Sequence, residues 1–491
     1  MLQENLIRMY EESFRTHREL PALTDYFKGE TFSYYEMAKE IAKLHLFFKK
    51  AEIRRGDKIA LVGRNNPRWC ITYLATITYG AVIVPILQDF APADIVHIVN
   101  HSESRLLFVG DNYWDIIEED EIARIDAVLS LTDFHVIYER RGKSLGVYMR
   151  DMVKNYRAKY KRGFSADDIK YPDIPNDQMV LLNYTSGTTG YSKGVMLTDD
   201  CFNGIALQFQ AYPKLFHRGQ KLMNVMPPFI AYGFACGIHL PLVLGFTVII
   251  IPNLDPAKLG SLVLKHKPEH MFGVPTHYQQ LASDPKLRDK DLSFIINYAA
   301  GGDSLSRGAE QTVNDFLAAH GARYPIAKGY GMTEVSSAAT VAAGLDNKPG
   351  SVGIPMVNTV VAAFEPGTDQ ELPIGQRGEL CISGPCLMKG YYNKPEETAI
   401  LLRRHPDGRV WAHTGDMGYL DEDGFVFLDS RIKRMIIRHD GFKVFPSMIE
   451  NVVSRHPAVH QCSVVGCADK DHTQGRLPFV YIVLKADTTA K

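Results

Sequence analysis

Apolar positions along this chain alternate between runs of helical and strand length. Ser33-x-x-Glu36 is a capping box, which predicts a helix over residues 34–49. Gly56-Asp57 makes a turn, and the apolar run at 58–62 predicts a strand. Asn66 followed by Pro67 opens a helix that runs to Gly80, and residues 82–86 form the next strand. Strand, helix and strand at this spacing make a βαβ unit and therefore a parallel sheet. Residues 105–109 and 127–131 predict further strands, and the Asp- and Pro-containing stretch 167–177 reads as a connector. The apolar run at 179–182 predicts a buried strand. Residues 231–252 contain no Asp, Glu, Lys or Arg, which could suggest a membrane span. Pro241 and Gly245 interrupt that stretch and residues 247–251 are β-branched, so it predicts a buried helix ending near Gly245 and then a buried strand. Beyond Pro355 the pattern changes to short strands at 360–364, 378–383 and 424–428 between Gly/Pro turns. After Asp429 comes a compact module. Ser447-x-x-Glu450 predicts a capped helix with Ile449, Val452 and Val453 on one face, and strands follow at 461–465 and 479–485. No long repeat interrupts this order.

The length of 491 residues, with 45% hydrophobic residues, fits about two to four domains with substantial cores. The divisions fall at 1–175 (α/β), 176–355 (α/β), 356–428 (β-rich) and 429–491 (a small C-terminal domain). Lys+Arg 55 against Asp+Glu 56 gives a net charge of -1, which offers no overall attraction to nucleic acid or an anionic membrane. The seven cysteines, at 70, 201, 236, 381, 386, 462 and 467, lack C-x-x-C spacing and read as reduced core thiols of a cytoplasmic protein. No histidine or second cysteine pair is spaced to complete a zinc site with them. The N-terminus is charged and has no apolar signal core.

The chemistry concentrates in residues 181–198, LLNYTSGTTGYSKGVMLT. Thr185-Ser186-Gly187-Thr188-Thr189-Gly190 and Tyr191-Ser192-Lys193-Gly194 combine three glycines, several hydroxyls and one cation. Glycines let the backbone approach a ligand, hydroxyls donate to phosphate oxygens, and Lys193 adds a point charge. A solvent-exposed linker has a similar composition, but this stretch lies between two apolar strand-like runs. It is not a G-x-x-x-x-G-K-[ST] loop. Gly329-Tyr330-Gly331-Met332-Thr333-Glu334 offers an aromatic ring for a flat base, a hydroxyl for phosphate and a carboxylate for Mg2+. In Trp411-Ala412-His413-Thr414-Gly415-Asp416, the final carboxylate suits the two hydroxyls of a ribose.

These motifs, in this order, resemble the adenylate-forming (AMP-binding) enzymes, above all the acyl-CoA synthetases and fatty-acid–CoA ligases. The resemblance runs from about Ser33 to Lys485. Ser192 stands where that family's loop usually has proline. The resemblance implies an α/β fold: a large N-terminal region of mixed α/β subdomains with a β-rich subdomain, then a small mobile α+β C-terminal domain. It also implies that residues 185–190 and Lys193 hold ATP phosphates, that Gly301, Gly302 and Asp303 lie beside adenine with Tyr330 and Gly331, and that Thr333 contacts the α-phosphate. Glu334 then binds Mg2+, while Asp416 and Arg431 reach the ribose. Lys193, Thr333 and Glu334 are the expected catalytic residues. Phe229, Ile230, Tyr232, Gly233 and Gly331 line the acyl pocket, where the absence of an aspartate argues against an amino-acid substrate. Lys433 matches the hinge, and Gly441, Phe442 and Lys443 match the coenzyme A stretch. Ser430 in place of glycine, one additional residue at His439-Asp440 and Met448 in place of an acid depart from the pattern. Residues 375–392 match a stretch read as mainly structural.

The family usually continues past this point into a segment with a lysine that contacts the reacting carboxylate. This chain ends at ADTTAK, which reads as a truncation or as a defect in adenylation. The expected activity converts a fatty or other hydrophobic acid, ATP and coenzyme A to acyl-CoA, AMP and pyrophosphate, in a monomer or homodimer without a transmembrane segment. An adenylation domain that loads a carrier protein and a nucleotide-binding protein without full turnover are the alternatives.

Overall fold

The structure is a computed structural model. It describes residues 2, 4–110, 113–122, 124–140, 142–185, 192–440, 443–454, 456–472 and 475–485. The chain divides into two compact units. The first comprises Met1–Gly273, Gly331–Ala338 and Pro385–Thr398; the second comprises Val274–Tyr330, Ala339–Gly384 and Ala399–Lys491.

In the first unit, an eight-stranded sheet runs in the order Gly390–Tyr391, Lys193–Thr198, Met179–Thr185, Val82–Ile86, Lys58–Val62, Leu106–Val109, Ala127–Ser130 and Val136–Glu139. Its centre is parallel and its ends are antiparallel. The expected βαβ unit is present. The Asn66 side chain accepts the Trp69 N–H, Pro67 opens the helix Pro67–Tyr79, and Gly80 ends it at φ 91°. That left-handed conformation suits glycine because no Cβ meets the backbone. Parallel strands are covered on both faces, which is why Val82–Ile86 and Leu106–Val109 are apolar and buried throughout. A second set of strands in this unit runs Thr31–Ser33, Pro21–Asp25, Thr247–Ile250, Lys221–Asn224 and His270–Gly273. The Ser33/Glu36 capping box forms as expected and opens the helix Tyr34–Lys50.

The uncharged stretch is a buried helix followed by the strand Thr247–Ile250, as the sequence predicts. Its middle turn, Ala235–His239, is π-helical. Pro241 has no N–H for the carbonyl of Gly237, and the Asn224 side chain donates to that oxygen instead at 3.0 Å. Among the described residues, no helix is long and apolar enough to cross a membrane.

In the second unit, Asn297–Ala300 and Ala327–Tyr330 are parallel neighbours. The helix Arg307–Ala319 lies between them in sequence, and Ser306 caps it. Thr340–Ala342 and Ile354–Pro355 continue antiparallel. The β-rich part joins Val360–Phe364, Gly378–Ser383, Val410–Leu420 and Leu402–Arg404, with Val426–Arg431 paired to Val410–Leu420. Ala362, Phe364, Cys381 and Trp411 form its apolar core. The C-terminal module holds the short pair Ile436–Ile437 and Lys443–Val444, the helix Pro446–Val453 and the hairpin Val459–Ala468 with Arg476–Leu484. This is the α/β class the sequence predicts, with a small α+β module at the C-terminal end.

Two expectations need correction. Ser447 is not the N-cap of its helix. Phe445 sits at the N-cap with no side-chain bond, and Pro446 opens the helix one residue earlier than Ser447. Glu450 instead accepts the Val464 N–H at 2.8 Å and pairs with Arg434 at 2.7 Å. Val452 is 66% exposed, so it is not part of a buried helix face. The cysteines are all unbridged thiols, but Cys467 is exposed and is no core residue.

Asp199 is buried and ties the N-terminal segment to the helix Asp199–Gln210. It accepts the Leu6 N–H at 2.8 Å and the Asn203 amide at 2.7 Å. Burial pushes its carboxyl up to about 7, and the Leu6 and Asn203 donors only partly oppose this. A carboxyl whose folded pKa lies above its unfolded value binds its proton more tightly in the folded state. Its contribution therefore favours folding below the unfolded pKa and is lost as pH rises through about 7. Asp199→Asn keeps an acceptor for Leu6 without the charge. Its thermal midpoint is expected to fall less between pH 5 and pH 8 than that of the parent, by thermal unfolding at both pH values.

Candidate active site

The first unit carries the residues expected to meet phosphate. Ser186, Gly187, Thr188, Thr189 and Gly190 lie outside the described residues. The two strands that flank them are antiparallel partners, and Thr185 stands opposite Lys193. The Lys193 ammonium pairs with the Glu397 carboxylate and sits 5.1 Å from the centre of the Tyr391 ring. Lys193 holds Glu397's carboxyl below the usual range, helped by Lys394, which binds it at 2.7 Å.

Thr333 and Glu334 lie in a single 3-10 turn, Thr333–Val335. The next two residues are non-glycine yet have positive φ, 63° at Ser336 and 109° at Ser337. Such conformations cost about 1–3 kcal/mol each and persist only when surrounding contacts enforce them. Here the Ser336 hydroxyl donates to the Cys386 carbonyl at 2.8 Å, and the Met388 N–H donates to the Glu334 carbonyl at 2.8 Å. The Tyr391 hydroxyl donates to Glu334 Oε1 at 2.7 Å, which orients that carboxylate. Burial, with the Glu334 charge beside it, pushes the Tyr391 phenol well up, so it stays a donor at neutral pH. Tyr391 and Glu397 are the residues that sequence reasoning missed. The sequence marks residues 375–392 as mainly structural, and its one signal here is the Tyr391-Tyr392 pair just before a Pro-led helix.

Gly331 opens this turn. A Cβ there would lie 2.1 Å from the Ser337 carbonyl oxygen. Gly331→Ala must therefore displace the strained turn that carries Glu334. Overpacking of this kind costs about 1–3 kcal/mol. Pyrophosphate exchange is expected to fall more than tenfold with a fall of only a few degrees in unfolding temperature, the two being measured on one preparation.

The expected acyl residues also lie in the first unit. Phe229 and Ile230 precede the helix, and Tyr232 and Gly233 occupy its first turn. Tyr232 meets Phe272 edge-on at 6.3 Å, and its hydroxyl reaches the Gly273 carbonyl at 3.4 Å. Gly233 is required by close approach, since a Cβ would lie 1.9 Å from the Pro227 carbonyl oxygen. The Cys236 thiol lies 3.7 Å from the Ser337 hydroxyl, linking this helix to the strained turn.

The second unit carries the residues expected to meet adenosine. Gly301, Gly302 and Asp303 follow the carboxyl end of Asn297–Ala300, and Tyr330 ends the neighbouring parallel strand. Carboxyl ends of parallel strands are where open α/β sheets bind ligands. Gly302 has φ 79°, and the exposed Asp303 turns its carboxylate onto the Ser304 N–H. The Tyr330 hydroxyl donates to Asp416 Oδ2 at 2.8 Å, and Arg431 Nε donates to Asp416 Oδ1 at 2.9 Å. Asp416 and Arg431 are opposite residues on paired strands. Burial pushes the Asp416 carboxyl up, against the opposing pull of Tyr330 and Arg431. Lys433 is exposed within the 3-10 turn Ile432–Arg434, between this strand and the C-terminal module. Gly441 and Phe442 lie outside the described residues, and the Lys443 backbone pairs with Ile437.

The AMP-binding enzyme family matches residues 10–392, and the AMP-binding enzyme C-terminal domain matches residues 448–491. A feruloyl-CoA synthase of Amycolatopsis sp is 32% identical over 454 residues, covering 90% of this chain and 82% of that protein. A long-chain-fatty-acid–CoA ligase of Bacillus subtilis (strain 168) is 29% identical over 478 residues, covering 94% and 83%. The solved anthranilate CoA ligase AuaEII, in complex with anthranoyl-AMP, has the same fold. Its TM-score is 0.83 at 19% identity, over 100% of this chain and 89% of that one. The chain belongs to the AMP-binding enzyme family and, within it, to the acid–thiol ligases.

Proposed function

We propose that this chain activates a hydrophobic carboxylic acid with ATP and transfers the acyl group to coenzyme A. A free carboxylate acylates poorly because oxide is a poor leaving group. In the first step a carboxylate oxygen attacks the α-phosphorus of ATP, the bond to the bridging oxygen breaks, and pyrophosphate leaves with its electron pair. In the second step the thiol sulfur of coenzyme A attacks the acyl carbon, AMP leaves, and the thiol proton is released. Little covalent chemistry falls to the protein, so its work is positioning and charge stabilisation.

Lys193, with the loop hydroxyls before it, would offset charge on the departing pyrophosphate. Thr333 would donate to the α-phosphate. Glu334 suits Mg2+, which usually takes one or two carboxylates together with substrate phosphates, and the Tyr391 hydroxyl already holds that carboxylate in one orientation. The bound ion would neutralise phosphate charge. Tyr330 and Gly301–Asp303 would flank adenine, Asp416 and Arg431 would take the ribose, and Lys433 would be the hinge. Gly441, Phe442 and Lys443 would meet coenzyme A.

One observation carries the substrate class. The residues expected to meet the acyl group, Phe229, Ile230, Tyr232 and Gly233, are apolar or aromatic and include no carboxylate to hold an ammonium, and Tyr232 meets Phe272 edge-on. Burying apolar surface is worth about 25 cal/mol per Å2, so such a lining favours fatty and aryl acids over amino acids. Pyrophosphate exchange across fatty, hydroxycinnamic, benzoic and amino acids tests this, followed by thioester formation with free coenzyme A. Hydrophobic acids are expected to support both reactions. Exchange with amino acids alone, or acyl transfer only to a carrier protein, would overturn the reading.

A further inference from the structure

The strands Gly378–Ser383 and Val410–Leu420 are antiparallel neighbours with a break in their register. Glu379 stands opposite Met417 and Cys381 opposite His413, so Leu380 alone faces Thr414, Gly415 and Asp416. The surplus residues form a bulge, and bulges re-aim side chains. Gly415, in its middle, has φ 71°. The Thr414 hydroxyl donates to the Leu380 carbonyl at 2.6 Å and accepts the Asp416 N–H at 3.0 Å. Glu379 closes the bulge from the opposite strand. Its Oε1 accepts the Gly415 N–H at 3.0 Å, and its Oε2 accepts from His413 Nδ1 at 3.0 Å. His413 Nε2 in turn meets His405 Nε2 at 2.9 Å, and that nitrogen lies 3.3 Å from the Asp369 carboxylate. With Nδ1–H given to Glu379, His413 Nε2 is the acceptor and His405 Nε2–H the donor, so one tautomer of each ring satisfies the chain.

Glu379, His405 and His413 are buried. Burial alone would raise the Glu379 carboxyl, yet the His413 and Gly415 donors hold it below the usual carboxylate range. Burying a carboxylate is costly unless it is paired and hydrogen-bonded. Here both oxygens are spent on the segment that leads into Asp416. Tyr330 and Arg431 hold only the Asp416 side chain, whereas Glu379 holds the backbone that carries it.

We propose that Glu379 is a positioning residue for nucleotide binding, which fixes the bulge at 414–416 so that the Asp416 carboxylate faces the ribose. This rests on the assignment of Asp416 to the ribose hydroxyls. A displacement of about 1 Å can cost a hundredfold in a positioned site, so a backbone clamp one residue from the ligand matters. The Asp416 carboxyl is raised first by burial; Tyr330 and Arg431 oppose this, and the Glu379 charge adds to it. Glu379 itself is faced by His413, Arg403 and the Cys381 thiol.

The test is calorimetric titration of the full chain with AMP and with 2′,3′-dideoxy-ATP at several pH values. It compares the parent with Glu379→Ala, Glu379→Gln, Asp416→Ala and Glu379→Ala/Asp416→Ala. Glu379→Ala is expected to bind AMP at least about tenfold more weakly and to lose the parent's discrimination against the dideoxy nucleotide. The double variant should bind AMP no more weakly than Asp416→Ala, because the clamp then has no ribose ligand to place. Glu379→Gln keeps the volume and an oxygen for the Gly415 N–H, which covers the case in which the alanine variant fails to fold. Its AMP affinity should lie between those of the parent and Glu379→Ala. That affinity should begin to fall at a lower pH than the parent's, since a charge that helped to raise Asp416 is gone. A glutamate that served only the stability of the sheet would move neither the discrimination nor that pH. Unchanged AMP affinity in Asp416→Ala would overturn the ribose assignment and this proposal with it. Where Asp416→Ala does lose affinity, a folded Glu379→Ala or Glu379→Gln protein that binds AMP as the parent does would overturn this proposal alone. So would losses that add in the double variant, or an acid limb that Glu379→Gln leaves in place.

Discussion

Lys193→Ala is expected to bind MgATP roughly 10- to 100-fold more weakly and to slow pyrophosphate exchange at least as much, with its fold intact. A hydrogen bond to a charged group is worth about 1.5–3 kcal/mol, and each 1.4 kcal/mol is a factor of ten. That gain is offset by the contacts Lys193 must leave, its ion pair with Glu397 and its place over the Tyr391 ring. The lysine and glutamate side chains are 28% and 31% exposed. Ion pairs this open to water contribute about 0–1 kcal/mol, and an exposed cation–π contact about 0.5–1 kcal/mol. Phosphate should therefore win the competition. Glu397→Gln frees the ammonium and is expected to strengthen MgATP binding less than about fivefold. Lys193→Ala/Glu397→Gln should match Lys193→Ala alone, because no cation remains to be released. Tyr391→Phe keeps the ring under Lys193 but removes the donor to Glu334, so it should change the dependence on Mg2+ more than the affinity for ATP. Calorimetric titration of the four variants and the parent decides this. Unchanged affinity in Lys193→Ala would remove that residue from the site.

What could be read from the sequence followed the range of the interactions. The Ser33/Glu36 box was legible because both partners lie within one turn. Ser447 and Glu450 have the same spacing, and there the reading failed because Val464 and Arg434 claim Glu450 from elsewhere in the module. The uncharged stretch showed its helix and strand, but not the π turn, whose Gly237 carbonyl accepts from Asn224 at the end of the strand Lys221–Asn224. The candidate site behaves in the same way. Its motifs were recognisable as strings, whereas the Tyr391–Glu334 and Lys193–Glu397 contacts arise from pairing Gly390–Tyr391 with Lys193–Thr198. Cysteine spacing likewise hid the placement of Cys381 beside His413, 3.5 Å apart across paired strands. His439 stood out only as part of an insertion; Asp469 and His472, which its ring meets, lie about 30 residues further along the chain.

Asp416→Ala is expected to lose ATP and AMP affinity by the same factor, because the ribose is common to both. Two charge-assisted hydrogen bonds at about 1.5–3 kcal/mol each put that factor at roughly 100-fold or more. Before any nucleotide arrives, both carboxylate oxygens already have partners, Tyr330 on one and Arg431 on the other. Truncation therefore also leaves the buried Tyr330 hydroxyl without its acceptor. An unsatisfied buried group costs about 1–3 kcal/mol, so the unfolding temperature should fall as well. Tyr330→Phe separates the two effects, since it keeps the ring and the carboxylate and removes the hydroxyl. Its AMP affinity should stay well above that of Asp416→Ala. 2′,3′-Dideoxy-ATP should bind the parent poorly and Asp416→Ala no worse than ATP does. The pH dependence has a definite sign. Burial raises the Asp416 carboxyl, so as pH falls it protonates before an ordinary aspartate would, and it then loses its ion pair with Arg431. AMP affinity in the parent should fall with acidification above the usual aspartate range, and in Asp416→Ala it should be flat there. Equal discrimination against the dideoxy nucleotide by both proteins would place the ribose on another carboxylate.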